Sequence, residues 1–431
     1  MKIIPAEFFV YQVSELILFL RIKVVYKYSI MQKEENIMKR KMVKKLIALV
    51  SAGAMTMAML AGCGSTSDGS TAETTAAADG DSIVVGVISP NTGNLATYGE
   101  SVLNGINLAV EEINAAGGVL GKNISIISYD DKADSTEGAN AFNRLAGEGA
   151  CAIIGSVTSG VTASLAPLAD ESQIVMITPT ATADTITESD NYVFRSCFKD
   201  SYQGKMAAKF AAEKLGVKKV AVLYASGDAY SAGVRESFDA ACSEYGLEIV
   251  AEESSSSTDD TEFSSQLTNI AASGAEFLFA PYYYNAAGPY IIPQARAAGF
   301  EGVIMGADGF DGTTESMLDD KTIYNNCYYT NHYSPDDTSE VVQTFVTAYS
   351  GKYGAKPNAL AALAYDCAYM VKDAIEKAGS TDRTAIRDAM SGMSFEGVTG
   401  KFVLDETGTP EKSVAVIEFK DGEAVWNCTL D

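Results

Sequence analysis

Ser159 stands where a strand ends and a helix begins, in the stretch IIGSVTSGVT (153–162). The first turn of a helix offers N–H groups without helical partners and a partial positive charge, which suits a carboxylate. The serine hydroxyl adds a donor. Thr180 and Thr182 occupy the next strand-end loop, in ITPTATA (177–183), and supply two more hydroxyls. Asp308 follows another strand, in IMGADG (304–309). A carboxylate withdrawn from water there makes charge-assisted hydrogen bonds. Each position also has a plainer reading. Ser and Thr at such places cap helices and form turns, and Asp before Gly forms an Asx-turn. On residue types alone, caps and turns are favoured for the three hydroxyl residues.

Other chemistries find little support. His332 is the only histidine, so a catalytic triad or a metal site would rest on it alone. There is no G-x-S-x-G elbow. GGVLGKN (117–123) resembles a phosphate loop, but three residues separate Gly117 from Gly121 where four are needed, and Asn123 follows the lysine. A helix-to-strand turn is the better reading. Asp130-Asp131 reads as capping or a solvated pair before it reads as a metal site. The seven cysteines include no C-x-x-C pair. They read as small buried hydrophobes, with Cys63 as the exception. No nucleophile–base pair is evident, and an enzyme is disfavoured.

The elements that position these residues alternate. Ile83–Ser89 is a continuous apolar run, as in a strand buried on both faces. After a turn-rich loop, Leu103, Ile106, Ala109, Val110 and Ile113 share one helical face, with Glu111 and Glu112 opposite. The helix stops at Gly117-Gly118. Ile124–Tyr129 is a second strand. Further strands are expected at 152–155, 174–178, 219–225, 248–252, 276–281 and 302–306. Helices are expected at 137–148, 160–171, 201–214, 231–244, 261–272 and 286–298. Repeated strand–helix units imply an α/β protein with doubly wound parallel sheets. A body of about 350 residues exceeds one such sheet, so two lobes are expected. Helices near 338–352, 358–378 and 382–391 follow without strands between them, and the last 30 residues read as a β ending. No linker separates the lobes, which implies that the chain crosses between them more than once.

The N-terminal region reads as an address. Lys39, Arg40, Lys41, Lys44 and Lys45 precede an uncharged Ala/Met/Leu-rich stretch to Gly62. That is the layout of a signal peptide over 38–62. It ends in Leu60-Ala61-Gly62-Cys63, which resembles a bacterial lipobox, in which the cysteine thiol takes a diacylglycerol. A transmembrane anchor is the competing reading. The polar tract of 63–82 reads as a tether of ~25 Å root-mean-square span. Residues 1–37 are expected to be an over-extended start, with Met38 or Met42 as the true one. A further membrane segment is the alternative.

Of the 431 residues, 47% are hydrophobic and 20% charged, which is ample for a core. Residues 1–62 hold 10 basic and 4 acidic side chains, and the remainder hold 22 and 52. A body with net charge −30 repels phosphate backbones and anionic lipid, so nucleic-acid binding is a poor expectation.

Residues 83 to about 410 resemble the leucine/isoleucine/valine-binding family of periplasmic proteins. The segments that carry the resemblance include TGNLATYGES, EEINAAGGVLGKNISIISYDD, IIGSVTSGVT, ITPTATA, QARAAGF and IMGADG, in order and at matching spacing. The family implies a type I periplasmic-binding fold: two lobes joined by three crossovers, with a ligand closed between them. The lobes would be 83–197 with 331–398, and 198–330 with 399–431. It implies an ABC permease and ATPase as partners. No cofactor is required, a monomer is expected, and the pattern ending in Cys63 points to lipid-anchored placement facing outside the cytoplasm.

The resemblance also assigns residues. A free amino acid carries its carboxylate and ammonium about 2.5 to 4 Å apart, so a selective site needs donors for one and an anion for the other. Ser159 matches a serine that holds the carboxylate. At Thr180 the family uses a backbone group, and at Thr182 a hydroxyl. Asp308 matches the acid that pairs with the ammonium. The family often has Glu there, so the shorter Asp brings the ligand or the lobe closer. Tyr98, Tyr230 and Tyr283 match aromatics that line or close the pocket, with Tyr283 one of three consecutive tyrosines. A disulfide of some members aligns with Ala133 and Thr158 and is absent. Gly160 follows Ser159 where a second hydroxyl is frequent, and Ala361 is small where an aromatic can stand. These departures bear on side-chain specificity. The expected function is capture of an amino acid, branched-chain or aliphatic, for import. A sensory protein for an amide or other small solute is the alternative, and neighbouring permease and ATPase genes would discriminate against it.

Overall fold

A computed structural model describes residues 82–187 and 192–431. The expected over-extended start (1–37), signal peptide (38–62), Cys63 and all of its tether except Ser82 lie outside the described residues. Among the described residues no helix is long and apolar enough to cross a membrane.

The first sheet is built from β1 (Ile83–Ser89), β2 (Ile124–Asp130), β3 (Ala152–Ile154), β4 (Val175–Thr178) and β5 (Val193–Arg195). All five run parallel in the order β2-β1-β3-β4-β5. β1 is central and almost wholly buried, which explains why its seven residues are apolar or small.

The second sheet begins with β6 (Lys219–Ala225), β7 (Glu248–Ser255), β8 (Phe277–Phe279), β9 (Val303–Gly306) and β10 (Cys327–Asn331). A small hairpin follows, β11 (Ser394–Gly397) with β12 (Gly400–Val403). The chain then returns as β13 (Val414–Lys420) and β14 (Glu423–Leu430), giving the order β14-β13-β10-β9-β8-β6-β7. The last two strands run antiparallel, so this sheet is mostly rather than wholly parallel.

Helix Ala96–Ala115 buries Val102, Ile106, Ala109, Val110 and Ile113, the face expected from its spacing apart from a half-buried Leu103. Its acidic face is used too. Glu112 accepts hydrogen bonds from the Tyr365 and Tyr369 hydroxyls of helix Ala359–Ala378. These two helices lie in close contact, and Gly105 permits it, since a Cβ there would meet the Ala361 carbonyl oxygen at 2.1 Å. The chain therefore passes between the two sheets three times: after β5, after β10, and between β12 and β13.

The misleading motifs resolve as turns. Val119 and Lys122 exchange backbone hydrogen bonds across the GGVLGKN loop. Asp130 accepts from the amides of Asn91 and Lys132, and Asp131 from the amide of Ala133 and the hydroxyl of Ser156. Cys151, Cys197, Cys242, Cys327 and Cys367 are buried free thiols, and Cys428 is a half-buried one. Two expected helices are not uniform. The stretches 201–214 and 286–298 each contain a π-turn, at Phe210–Lys214 and Ala287–Ile291. β5 and β10 were not foreseen: three and five residues leave too short a periodic signal.

Candidate functional site

The carboxyl ends of β3, β4, β9 and β10 converge, and the loops beyond them line one narrow cavity of about 20 Å³. Ligands in open α/β sheets settle at such a place because the strand-to-helix loops there are free of the ladder. Tyr98, Ser159, Thr180, Tyr230, Tyr283 and Asp308 all line it. Of the residues singled out in the described sequence, only Thr182 lies behind the wall.

Ser159 is the first residue of helix Ser159–Ser172 and is buried. Thr158 precedes it without a side-chain capping bond, so the N–H groups of the first turn carry no side-chain cap. The Ser159 hydroxyl accepts from the Ala183 amide at 3.3 Å, which ties this helix start to the next loop. The approach of β3 depends on Gly155. It holds φ +131°, and a Cβ there would meet the Ile88 carbonyl oxygen at 2.1 Å.

The Thr180–Ala183 loop is held from beneath by a buried guanidinium. Arg195, at the end of β5, donates to the carbonyl oxygens of Thr182 (2.8 Å) and Ala183 (2.9 Å) and to the Thr187 hydroxyl (3.1 Å). Thr180 spends its hydroxyl on the Val157 carbonyl oxygen at 2.8 Å, and its amide donates over a longer 3.4 Å to the Thr178 hydroxyl. Thr182 Oγ1 is fully buried beside the Asp200 carboxylate, yet makes no hydrogen bond of normal geometry among the described residues.

On the opposite wall, Asp308 opens a 3₁₀ turn after β9. Its amide donates to Gln203 Oε1 (3.3 Å), and its Oδ2 lies 3.1 Å from His332 Nε2. Its Oδ1 is buried and has no partner among the described residues. Gln203 Oε1 also accepts from the Thr330 hydroxyl at 3.2 Å, so β10 and helix Asp200–Lys209 both brace Asp308. Asp200, at the start of that helix, donates its amide to the Thr182 carbonyl oxygen at 2.9 Å. Burial pushes its carboxyl well above the usual range, with the charge of Asp308 adding to the effect.

Three tyrosines close the cavity. Tyr98 donates its hydroxyl to the Gly309 carbonyl oxygen, and Tyr230 accepts from the Gly309 amide at 2.8 Å. Both faces of one peptide segment are thus gripped. Tyr283 stacks on Tyr230 with ring centroids 5.1 Å apart and meets Tyr98 edge-on at 6.0 Å. Its register is clear: Tyr282 bonds to Ser255 and Tyr284 to the Asn94 carbonyl, while Tyr283 faces the cavity. Burial raises the phenol pKa of Tyr98, Tyr230 and Tyr283 well above the usual value, so all three are neutral donors.

Sequence reading missed His332 as a site residue, along with Asn331, Gln203 and Asp200. Asn331 Nδ2 donates to Asp311 Oδ2 (3.1 Å), which also takes the Ala359 amide (2.7 Å). Locating β10 would have put Asn331 and His332 at a strand end beside Asp308.

The sequence profile described as periplasmic binding protein matches residues 82–424. A Leu/Ile/Val-binding protein homolog of Brucella melitensis biotype 1 is 31% identical over 348 residues, which is 80% of this chain and 93% of that protein. Among solved structures, a leucine-binding protein from Thermotoga maritima is 34% identical with a TM-score of 0.76, covering 81% of this chain and 99% of that one. A branched-chain amino acid transporter substrate-binding protein from Streptococcus pneumoniae, in complex with isoleucine, is 32% identical with a TM-score of 0.75, covering 81% and 98%.

Proposed function

The chain belongs to the periplasmic binding protein family, and from that premise we propose that it captures a branched-chain or other aliphatic amino acid for an ABC importer. It is a solute-binding protein, not an enzyme. The observation that carries the ligand class is the pairing across one cavity of an uncapped helix start at Ser159 with a buried carboxylate oxygen of Asp308 that has no partner. A zwitterion satisfies both ends at once. Its carboxylate takes the N–H groups of the helix start and the Ser159 hydroxyl, with Thr182 contributing its free hydroxyl as the loop adjusts. The backbone of Thr180 completes that end. Its ammonium takes Asp308 through a charge-assisted hydrogen bond. Val157, Leu360 and Leu363 give the side chain an apolar wall, which favours an aliphatic residue.

Closing follows from the same contacts. The two sheets are read as the cores of lobes 83–197 with 331–398 and 198–330 with 399–431. Ser159 and Asp308 belong to different lobes, so the ligand bridges them and favours the closed form by as much as its affinity differs between the two. The direct bonds from Tyr98 to Gly309 and from Tyr284 to Asn94 span the same cleft. The closed body then docks on the permease. The signal-peptide pattern and Cys63 support lipid anchoring outside the cytoplasmic membrane through a tether of residues 63–82, and the protein is read as a monomer.

A thermal-shift panel of the twenty amino acids tests this reading. Ligand at about 1,000 times its Kd adds ~4 kcal/mol of stability. Leucine, isoleucine or valine should give the largest upward shift. If no amino acid raises the melting temperature, the reading is wrong.

A further inference from the structure

We propose that His332 is a positioning residue for the ligand's ammonium, and that it makes capture sensitive to acid by sharing Asp308 with the ligand. The inference rests on the amino-acid reading above. His332 is buried directly after β10, with its amide held by the Asn331 side-chain oxygen at 2.8 Å. Its ring stacks on Phe198 at 3.7 Å between centroids, which fixes the ring plane. Nε2 then meets Asp308 Oδ2 at 3.1 Å.

An ionised carboxylate only accepts, so Nε2 carries the hydrogen and the neutral ring leaves Nδ1 bare. Nδ1 has no partner among the described residues. One carboxylate oxygen is therefore committed to the imidazole, and Oδ1 alone is left for the ligand. The orientation of Asp308 is set by the histidine rather than by the ligand.

The same geometry couples ligand to proton. With neutral His332, the pair carries one negative charge toward the ammonium. With imidazolium, the pair is neutral, and the ammonium faces a second cation across the carboxylate. Ligand and proton then oppose each other, and the opposition is reciprocal. Burial lowers the pKa of His332 against the pull of Asp308, and Lys412 on the neighbouring crossing acts in the same direction. The neutral, tight-binding form thus holds above the folded pKa, and affinity falls as pH drops through it. The other charged groups nearby are Asp200, which bears on Asp308 from helix Asp200–Lys209, Asp311, which accepts from the Asn331 side chain, and Lys412, which donates to Ser196 and Thr399. All three remain in a variant altered only at His332, which separates their titration from that of the imidazole.

The test uses the untagged protein with isoleucine, by calorimetry from pH 8 to pH 5. The wild type should bind progressively more weakly as pH falls through the His332 midpoint, by up to about tenfold, since a one-unit displacement of that midpoint is at most tenfold in affinity. His332→Gln keeps an N–H donor without a titrating ring, and its affinity should vary less than twofold over the same range. A variant with the wild-type slope overturns the proposal, because the response then belongs to another group. Should the variant fail to fold, the wild type still decides. His332 is the only histidine, so its ring-proton NMR signal titrates alone. Saturating isoleucine should lower its midpoint by about one pH unit. An unmoved midpoint overturns the proposal while leaving amino-acid capture intact. If no amino acid binds at pH 8, the capture reading falls and this inference falls with it.

Discussion

Replacing Asp308 by asparagine removes one charge and turns one of the two acceptor oxygens into an N–H donor. The residue is 9% exposed, one oxygen faces His332, and the other has no partner among the described residues. The amide keeps an acceptor oxygen of nearly the same reach. What disappears is the charge assistance, and the bound ammonium becomes a buried cation without a counter-ion. Truncating one member of a buried charged pair costs about 2–5 kcal/mol, much of it from the stranded partner. That range corresponds to a rise in Kd of roughly 30-fold to several thousand-fold. A value of about 100-fold, within that range, is expected for Asp308→Asn.

Calorimetry with leucine and with its des-amino analogue, 4-methylpentanoate, measures the effect and its origin. The analogue shares the carboxylate and the side chain, so it reports on the other two-thirds of the site. The wild type should prefer leucine by about 100-fold or more, and the variant by less than about tenfold. The unliganded variant should melt within a few degrees of the wild type, because no hydrophobic contact is lost. Two results would refute the reasoning: leucine affinity within threefold of the wild type, or an unchanged preference for leucine over the analogue. Either would mean that the ammonium is neutralised elsewhere.

Three further outcomes follow from the geometry. Ser159→Ala removes one hydroxyl from the carboxylate end while the helix N–H groups stay, so leucine affinity should fall by about 3- to 10-fold in calorimetry, the worth of one hydrogen bond. Arg195→Met removes the guanidinium donors from the carbonyl oxygens of Thr182 and Ala183, which keep only their backbone N–H partners, and urea unfolding should show a loss of about 1.5–3 kcal/mol; a loss below about 1 kcal/mol would mean the loop does not depend on it. Lys412 is half-buried, and desolvation brings its ammonium from 10.5 down to about 8. A depressed lysine pKa penalises the folded state most below pH 8, and the penalty fades as pH rises to 10.5. Wild-type stability should therefore climb relative to Lys412→Met across that window, by about 3 kcal/mol at most; a flat difference would place the charge in contact with water.

The fold was legible because its information is local. β1 shows itself as a continuous apolar run, and helix Ala96–Ala115 as a 3.6-residue stripe. Both signals need only a short window of chain. β5 and β10 have three and five residues, and they are strands because β4 and β9 offer them a ladder. That cause lies in the sheet and not in the segment. The π-turns at Phe210–Lys214 and Ala287–Ile291 are likewise one-residue shifts inside patterns that read as ordinary helix.

The site divides along the same line. Ser159 and Asp308 each sit at a strand end, and a strand end followed by a helix or a tight turn announces itself in sequence. His332 bears on Asp308 from 24 residues away, after a strand that was not visible, and Gln203 from 105 residues away. Arg195 supports Thr182 from beyond a separate strand. None of these supporting residues has a local pattern that marks it, since what makes each one functional is a partner on another segment. A single sequence therefore exposes the groups that would touch a ligand more readily than the groups that aim them. The consequence for specificity is direct. On the proposed reading, the choice of an α-amino acid would rest on Ser159 and Asp308, whereas the strength and pH range of capture would depend on Arg195, Gln203 and His332, which would set how rigidly those two ends are held apart.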